Sequence, residues 1–177
     1  MKFFLQFLIF FIFINTTASA QNILIKQNIP QAEMVGSYCF KVFGLKIYHI
    51  ELWSKNGNFD YNQPLALSIT YNKNFSASQL AKKTTTEIQK VNNLNTEQMQ
   101  KYQIYIDKLF VDVKKNQNKT AIFMPSGILK IFLEQQKVSE INDLQFAKYF
   151  LNIWLDSKSS YPKMSFALTK NNFDNNF

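Results

Sequence analysis

Val35-Gly36-Ser37-Tyr38-Cys39-Phe40-Lys41-Val42-Phe43-Gly44-Leu45-Lys46-Ile47-Tyr48-His49-Ile50 is the stretch whose reading decides the fold. Tyr38, Phe40 and Val42 alternate with Ser37, Cys39 and Lys41. Beyond Gly44, Leu45, Ile47 and His49 alternate with Lys46, Tyr48 and Ile50. A period of two sends successive side chains to opposite faces of a strand. The pattern predicts two strands between Met34 and Ser54, with Gly44 as the break between them.

Working outward toward the C-terminus, Asn56-Gly57-Asn58 reads as a turn, and Leu65 to Tyr71 as a short β-rich strand. The first half is therefore expected to be an antiparallel meander. Ser76 and Gln79 then form a capping box, in which each side chain satisfies the other's backbone N–H. Leu80, Ala81, Thr84, Ile88 and Val91 follow at helical spacing. A second helix is expected from Asn95-Thr96. Its stripe runs through Met99, Tyr102, Ile106, Leu109, Phe110 and Val113, and it ends at Asn116-Gln117-Asn118. Thr120 to Met124 and Ile128 to Leu133 flank Pro125-Ser126-Gly127 as a hairpin. Asn142 or Asp143 caps a third helix that turns Phe146, Ala147, Phe150, Leu151 and Trp154 inward, and a last short helix spans Pro162 to Leu168. Sequential strands with segregated helices predict an α+β fold, an antiparallel sheet with helices packed on one face.

Toward the N-terminus, Lys2 precedes an apolar run from Phe3 to Ile14, which gives way to Asn15-Thr16-Thr17-Ala18-Ser19-Ala20. One charge, a short apolar core and small residues at the cut site are the marks of a cleavable signal peptide. The run is roughly a dozen residues, against the ~20 needed to span a bilayer. Residues 1–20 are thus expected to be removed by cleavage after Ala20, leaving a secreted or periplasmic domain over residues 21–170. Residues 171–177, rich in asparagine, are expected to form a frayed tail.

The composition excludes several functions. All twenty basic residues are lysines, and the formal net charge is +8. Arginine is the side chain suited to bidentate phosphate and base recognition, and the lysines are dispersed, so nucleic acid is not an expected partner. They read as a solvated basic surface, or as weak attraction to an anionic envelope surface. Cys39 is the one cysteine, so no internal disulfide forms; it is expected to be a small buried hydrophobe. One histidine, His49, and one cysteine do not supply a metal site. Nothing local marks Cys39 as a thiolate nucleophile beside His49. No phosphate loop is present, and no cofactor is expected. The aromatic content, 16%, is high. It fits a bulky core or an apolar cleft.

Several blocks together carry a family resemblance. They are Val35-Gly36-Ser37, Val42 to Tyr48 with Leu52-Trp53, Pro64 to Tyr71, Phe75-Ser76 with Leu80-Ala81, and Thr85 to Ile88. The last comprises Phe146-Ala147 and Phe150 to Asp156, with Pro162 and Leu168 beyond. Their order resembles the chalcone isomerase-like family, in particular its exported bacterial branch. The resemblance implies an open-faced sheet with helices on one side and a cleft between. In the wider superfamily, plant isomerases close a flavanone ring and plastid members bind fatty acids. Both use an arginine on the early strand pair, and its counterpart here falls near Tyr38-Cys39-Phe40-Lys41. The isomerases' helix-borne tyrosine and asparagine fall near Gln79 and Thr86. An amide does not titrate as a phenol does, and lysine does not reproduce the guanidinium fork. Chalcone-type isomerisation is therefore not expected, and no catalytic residue is assigned. The expectation is a non-catalytic protein that holds a small hydrophobic or acyl ligand in its cleft, oriented by Lys41, Tyr48, Thr70 and Thr86. The alternatives are an envelope interaction module, or an isomerase or lyase of unknown substrate acting through Lys41, Tyr48 or His49.

Overall fold

The computed structural model describes residues 17–170; the apolar run and the asparagine-rich tail lie outside the described residues. Six strands form one antiparallel meander in chain order: β1 (Ala32–Val42), β2 (Leu45–Lys55), β3 (Leu65–Tyr71), β4 (Asn118–Phe123), β5 (Ile128–Leu133) and β6 (Gln136–Asn142). The decisive stretch is indeed a hairpin, with Cys39 opposite His49 and Phe40 opposite Tyr48. Its two turn residues, Phe43 and Gly44, both have positive φ, 47° and 78°. That is the geometry a two-residue turn needs to follow the sheet's twist.

Four helices cover one face: α2 (Ala77–Val91), α3 (Thr96–Leu109), α4 (Leu144–Leu155) and α5 (Pro162–Thr169). Their starts are set by local chemistry. Ser76 accepts from the Gln79 backbone N–H at 3.2 Å while Gln79 accepts from that of Ser76 at 2.9 Å. Asn95 and Gln98 repeat the arrangement, and Asp143 accepts from Phe146 N–H at 2.9 Å. Between sheet and helices lies the main core, with Ile50, Leu52, Leu65, Phe123, Ile88, Ile106 and Phe146 almost fully buried. Each completely buried aliphatic or aromatic side chain contributes about 1.5–3 kcal/mol over leaving it exposed.

Three features depart from the sequence reading. The second expected helix ends at Leu109 rather than running on through Val113. Phe110 is extended (φ −119°, ψ 135°), and Val113 exchanges two backbone hydrogen bonds of 2.9 Å with Phe75. The apolar stripe is continuous in sequence, but this tertiary pairing takes its last turn. Strand β6 is new: its residues are mostly polar, and its turn at Glu134-Gln135 lacks a glycine, so it carries no hairpin signature. The third is α1 (Thr17–Asn28). Its Leu24 and Ile25, with Ile29 just beyond, pack on Ala66, Ile122 and Phe132. These alternate with the core residues of β3, β4 and β5, so α1 lies on the face opposite the other four helices. Beside it Asn118 donates to Ser68, Thr70 and Gln21 at 2.8–3.1 Å and accepts from Thr120 at 2.7 Å, a polar cluster within the outer face.

Candidate ligand-binding cavity

The sheet's alternation sends Phe40 of β1, Tyr48 of β2, Ile69 and Tyr71 of β3, Lys119 and Ala121 of β4 and Ile131 of β5 toward the helices. There they form the floor of a cavity of about 390 Å3. Leu80 and Thr84 of α2 and Phe150, Ile153 and Trp154 of α4 form its roof, and Phe75, Phe110 and Tyr161 close its sides. The walls are predominantly apolar. Aromatic pairs hold their shape: Phe40 and Tyr161 meet edge to face at 4.7 Å, Phe40 and Tyr48 lie 5.0 Å apart, and Tyr71 and Phe75 5.7 Å. This volume and character fall in the range of small-molecule sites.

Residues 38–165 match the family described as chalcone isomerase-like. The chain belongs to this family. Among solved structures, an Arabidopsis thaliana fatty-acid binding protein has the same fold, with a TM-score of 0.65 and 7% sequence identity. The alignment covers 80% of this chain and 88% of that one. No curated protein matches the sequence.

Within this chalcone isomerase-like domain the polar groups of the cavity are few. Burial pushes the Tyr48 and Tyr71 phenols well above their ordinary range, so both remain protonated at neutral pH and keep a proton to donate. Tyr48 Oη lies 3.7 Å from Met164 Sδ. On α2, Lys83 Nζ bonds Glu87 Oε1 at 2.6 Å. Burial raises the Glu87 carboxyl, but Lys83 and the neighbouring Ser160 hydroxyl outweigh it and hold it below the ordinary carboxylate range. On the sheet side, Lys119 is 7% exposed. Its Nζ donates to Leu109 O at 2.8 Å and lies 4.0 Å from the Phe110 ring centroid. Burial lowers its pKa to about 7.

Of the four residues expected to orient a ligand, the cavity is lined by Tyr48 alone. Lys41 is exposed near the β1–β2 tip, because Phe40 and Val42 on either side of it take the cavity positions. Thr70 points to the outer face between Ile69 and Tyr71 and bonds Asn118. Thr86 is exposed on α2 and donates to Lys82 O at 3.1 Å. Gln79, near which the resemblance placed the isomerases' tyrosine, does reach the cavity wall. His49 and Cys39 are paired across β1 and β2 on the outer face, away from the cavity. His49 Nε2 lies 3.4 Å from Glu51 Oε1, and Cys39 is half-buried rather than buried.

The sequence reading missed Lys83, Glu87 and Lys119. The signal for Glu87 was present: it falls on the inward stripe of α2, three residues after Thr84 and next to Ile88. Lys119 had a signal too, since it alternates with Ala121 and Phe123 and so belongs to their face. Among the described residues no group of three or more metal-ligating side chains comes together.

Proposed function

We propose that this protein binds a small hydrophobic ligand of the acyl type, without transforming it, in the cavity between sheet and helices. The observation that carries this reading is the cavity itself: an open apolar volume between the sheet and the helices of a fold whose other core side chains are buried. An interaction module acting only through its surface would have that space filled by its own side chains. The solved structure of the fatty-acid binding protein with this fold supports the same reading. The non-catalytic part rests on the polar groups of the cavity. The chain has no arginine, and the phenols stay protonated. Native mass spectrometry of the purified full chain, before and after lipid extraction, tests the proposal. A bound acyl species that can be stripped and restored is expected. A protein that never carries or takes up an apolar ligand overturns it.

Export belongs to the same reading. Gln21, Leu24 and Ile25, which touch the sheet from α1, lie downstream of the expected cut after Ala20, so cleavage leaves these contacts in place. No helix of the described residues is long and apolar enough to cross a membrane. The exported protein should begin at Gln21 by intact mass, and one retaining residues 1–20 overturns the signal assignment.

A second reading concerns the β1–β2 tip. Phe43 is fully exposed and Leu45 58% exposed, with Lys41 and Lys46 beside them. Val42 and Ile47, next along the hairpin, line the cavity. An apolar tip flanked by ammonium groups is complementary to an anionic bilayer surface. Here the tip also adjoins the space a lipid-derived ligand would occupy. Flotation with vesicles containing anionic lipid, against vesicles of neutral lipid, tests it; equal or absent binding to both overturns it.

A further inference from the structure

Lys119 is an unusual tenant of an apolar wall. Ammonium groups are almost never fully buried unless paired, yet no carboxylate lies within 4 Å of its Nζ among the described residues. One N–H is used by the carbonyl of Leu109, the last residue of α3, where a cation also suits the negative end of the helix. The Phe110 ring takes one flank. An ammonium has three donors, so the protein's bonds leave capacity for an acceptor from the cavity. The strand neighbours opposite Lys119 are Ile69 and Leu133, which offer none.

We propose that Lys119 is the head-group clamp of the cavity, receiving the carboxylate of an acyl ligand whose chain runs along the aromatic walls. This rests on the ligand-binding reading above and gives it a chemical class: carboxylates over alcohols or esters of the same chain. The clamp differs in place from the arginine of the resemblance, which belongs to the early strand pair; Lys119 is on β4. The other cation of the cavity, Lys83, is already neutralised by Glu87 at 2.6 Å. The remaining titratable groups around the space are the Tyr48 and Tyr71 phenols on β2 and β3 and Tyr161 beyond α4. The Tyr48 and Tyr71 phenols, held protonated by burial, supply no counter-charge at neutral pH.

The test uses dodecanoate and dodecanol as probes, measured by calorimetry or competition with a fluorescent apolar dye on the full chain. Dodecanoate should bind about tenfold to a hundredfold more tightly than dodecanol, the usual worth of a charge-assisted hydrogen bond. Lys119→Met should abolish that preference while dodecanol still binds. Lys119→Arg should retain a preference. The pH profile gives a second readout that needs no variant. Dodecanoate affinity should be flat from about pH 5 to 7, then fall by up to about tenfold per pH unit as the free Lys119 loses its proton. A cavity that took only the neutral acid would lose affinity from the carboxyl's own pKa of about 4–5 upward.

Equal binding of both probes by the unaltered protein overturns the clamp and leaves the cavity reading standing; binding of neither overturns the cavity reading itself. A carboxylate preference that survives Lys119→Met also overturns the clamp. If that variant does not fold, the comparison of probes and the pH profile on the unaltered protein decide.

Discussion

Gly36 of β1 lies directly beneath the Ala167 carbonyl of α5, with no room between them for a Cβ atom. A Cβ built at Gly36 would also lie 2.7 Å from Leu168 O. The obstructing atoms are backbone, so they cannot swing aside as a side-chain tip would. Gly36 thus sets how closely α5 approaches the sheet. Tyr161, just before α5, closes one side of the cavity against Phe40. A bare backbone position on an edge strand thereby shapes the ligand space.

Gly36→Ala should therefore act on both stability and the cavity. Forcing α5 away from β1 is an overpacking change, which costs about 1–3 kcal/mol. The urea midpoint should fall by a corresponding amount, and affinity for an apolar dye should fall with it. A variant as stable as the parent would show that α5 yields without loss.

The Asn118 cluster on the outer face makes a second prediction. Its amide and carbonyl serve Ser68, Thr70, Thr120 and Gln21 at once. Asn118→Leu takes a bond from each of Ser68, Thr70 and Thr120; Ser68 and Thr120 keep their bond to each other at 3.2 Å, while Thr70 loses its partner, a change of the kind that costs about 1–3 kcal/mol. The expected result is a clear loss in denaturant stability, with faster hydrogen exchange in α1, which Gln21 helps to tie down. Ligand affinity should stay unchanged, because the cluster faces away from the cavity.

Lys119 should leave a mark on the pH dependence of the empty protein. Its folded pKa of about 7 lies below the ordinary lysine value of 10.5. The folded state therefore binds fewer protons than the unfolded state between those two values, and stability rises with pH across that window. Below pH 7 the full penalty of a buried ammonium is present; above 10.5 it is gone. Urea unfolding from pH 6.5 to 10.5 should show a gain of up to about 5 kcal/mol, on the order of 1.4 kcal/mol per pH unit for the one proton. Lys119→Met should flatten the curve, and a saturating carboxylate ligand should do the same by restoring the charge's partner.

At the β1–β2 tip, Phe43 holds a φ of +47°, a region that disfavours side chains with a Cβ by about 1–2 kcal/mol. Its ring is wholly exposed, so it gains nothing from the protein in return. Phe43→Gly should leave thermal stability unchanged or slightly raised, while binding to anionic vesicles falls several-fold. Lys41→Gln with Lys46→Gln should weaken the same binding and remove its salt dependence. Vesicle binding insensitive to both changes would place the contact elsewhere.

Local chemistry was enough to read most of the fold. The alternation around Gly44, the capping residues Ser76, Asn95 and Asp143, and the Pro125-Ser126-Gly127 turn each act within a few residues of themselves. They announce β1 to β5 and the starts of α2, α3 and α4 without help from the rest of the chain. The missing arginine was equally legible, since an absence in the sequence is an absence in the structure.

What the tertiary structure alone decided depends on partners distant in sequence. Val113 leaves the helical stripe because Phe75 offers it two backbone hydrogen bonds. The polar strand β6 exists because β5 presents an edge to pair with. The amphipathic pattern of α1 is weak, and its apolar residues find their place only when Ala66, Ile122 and Phe132 come together beneath them. The site follows the same division. The face that each strand residue occupies is fixed by a period of two, so Thr70 and Lys41 are excluded from the cavity and Lys119 is included. Which of those faces would enclose an empty apolar space, with one unmatched ammonium in its wall, was decided only when α2 and α4 closed over the sheet.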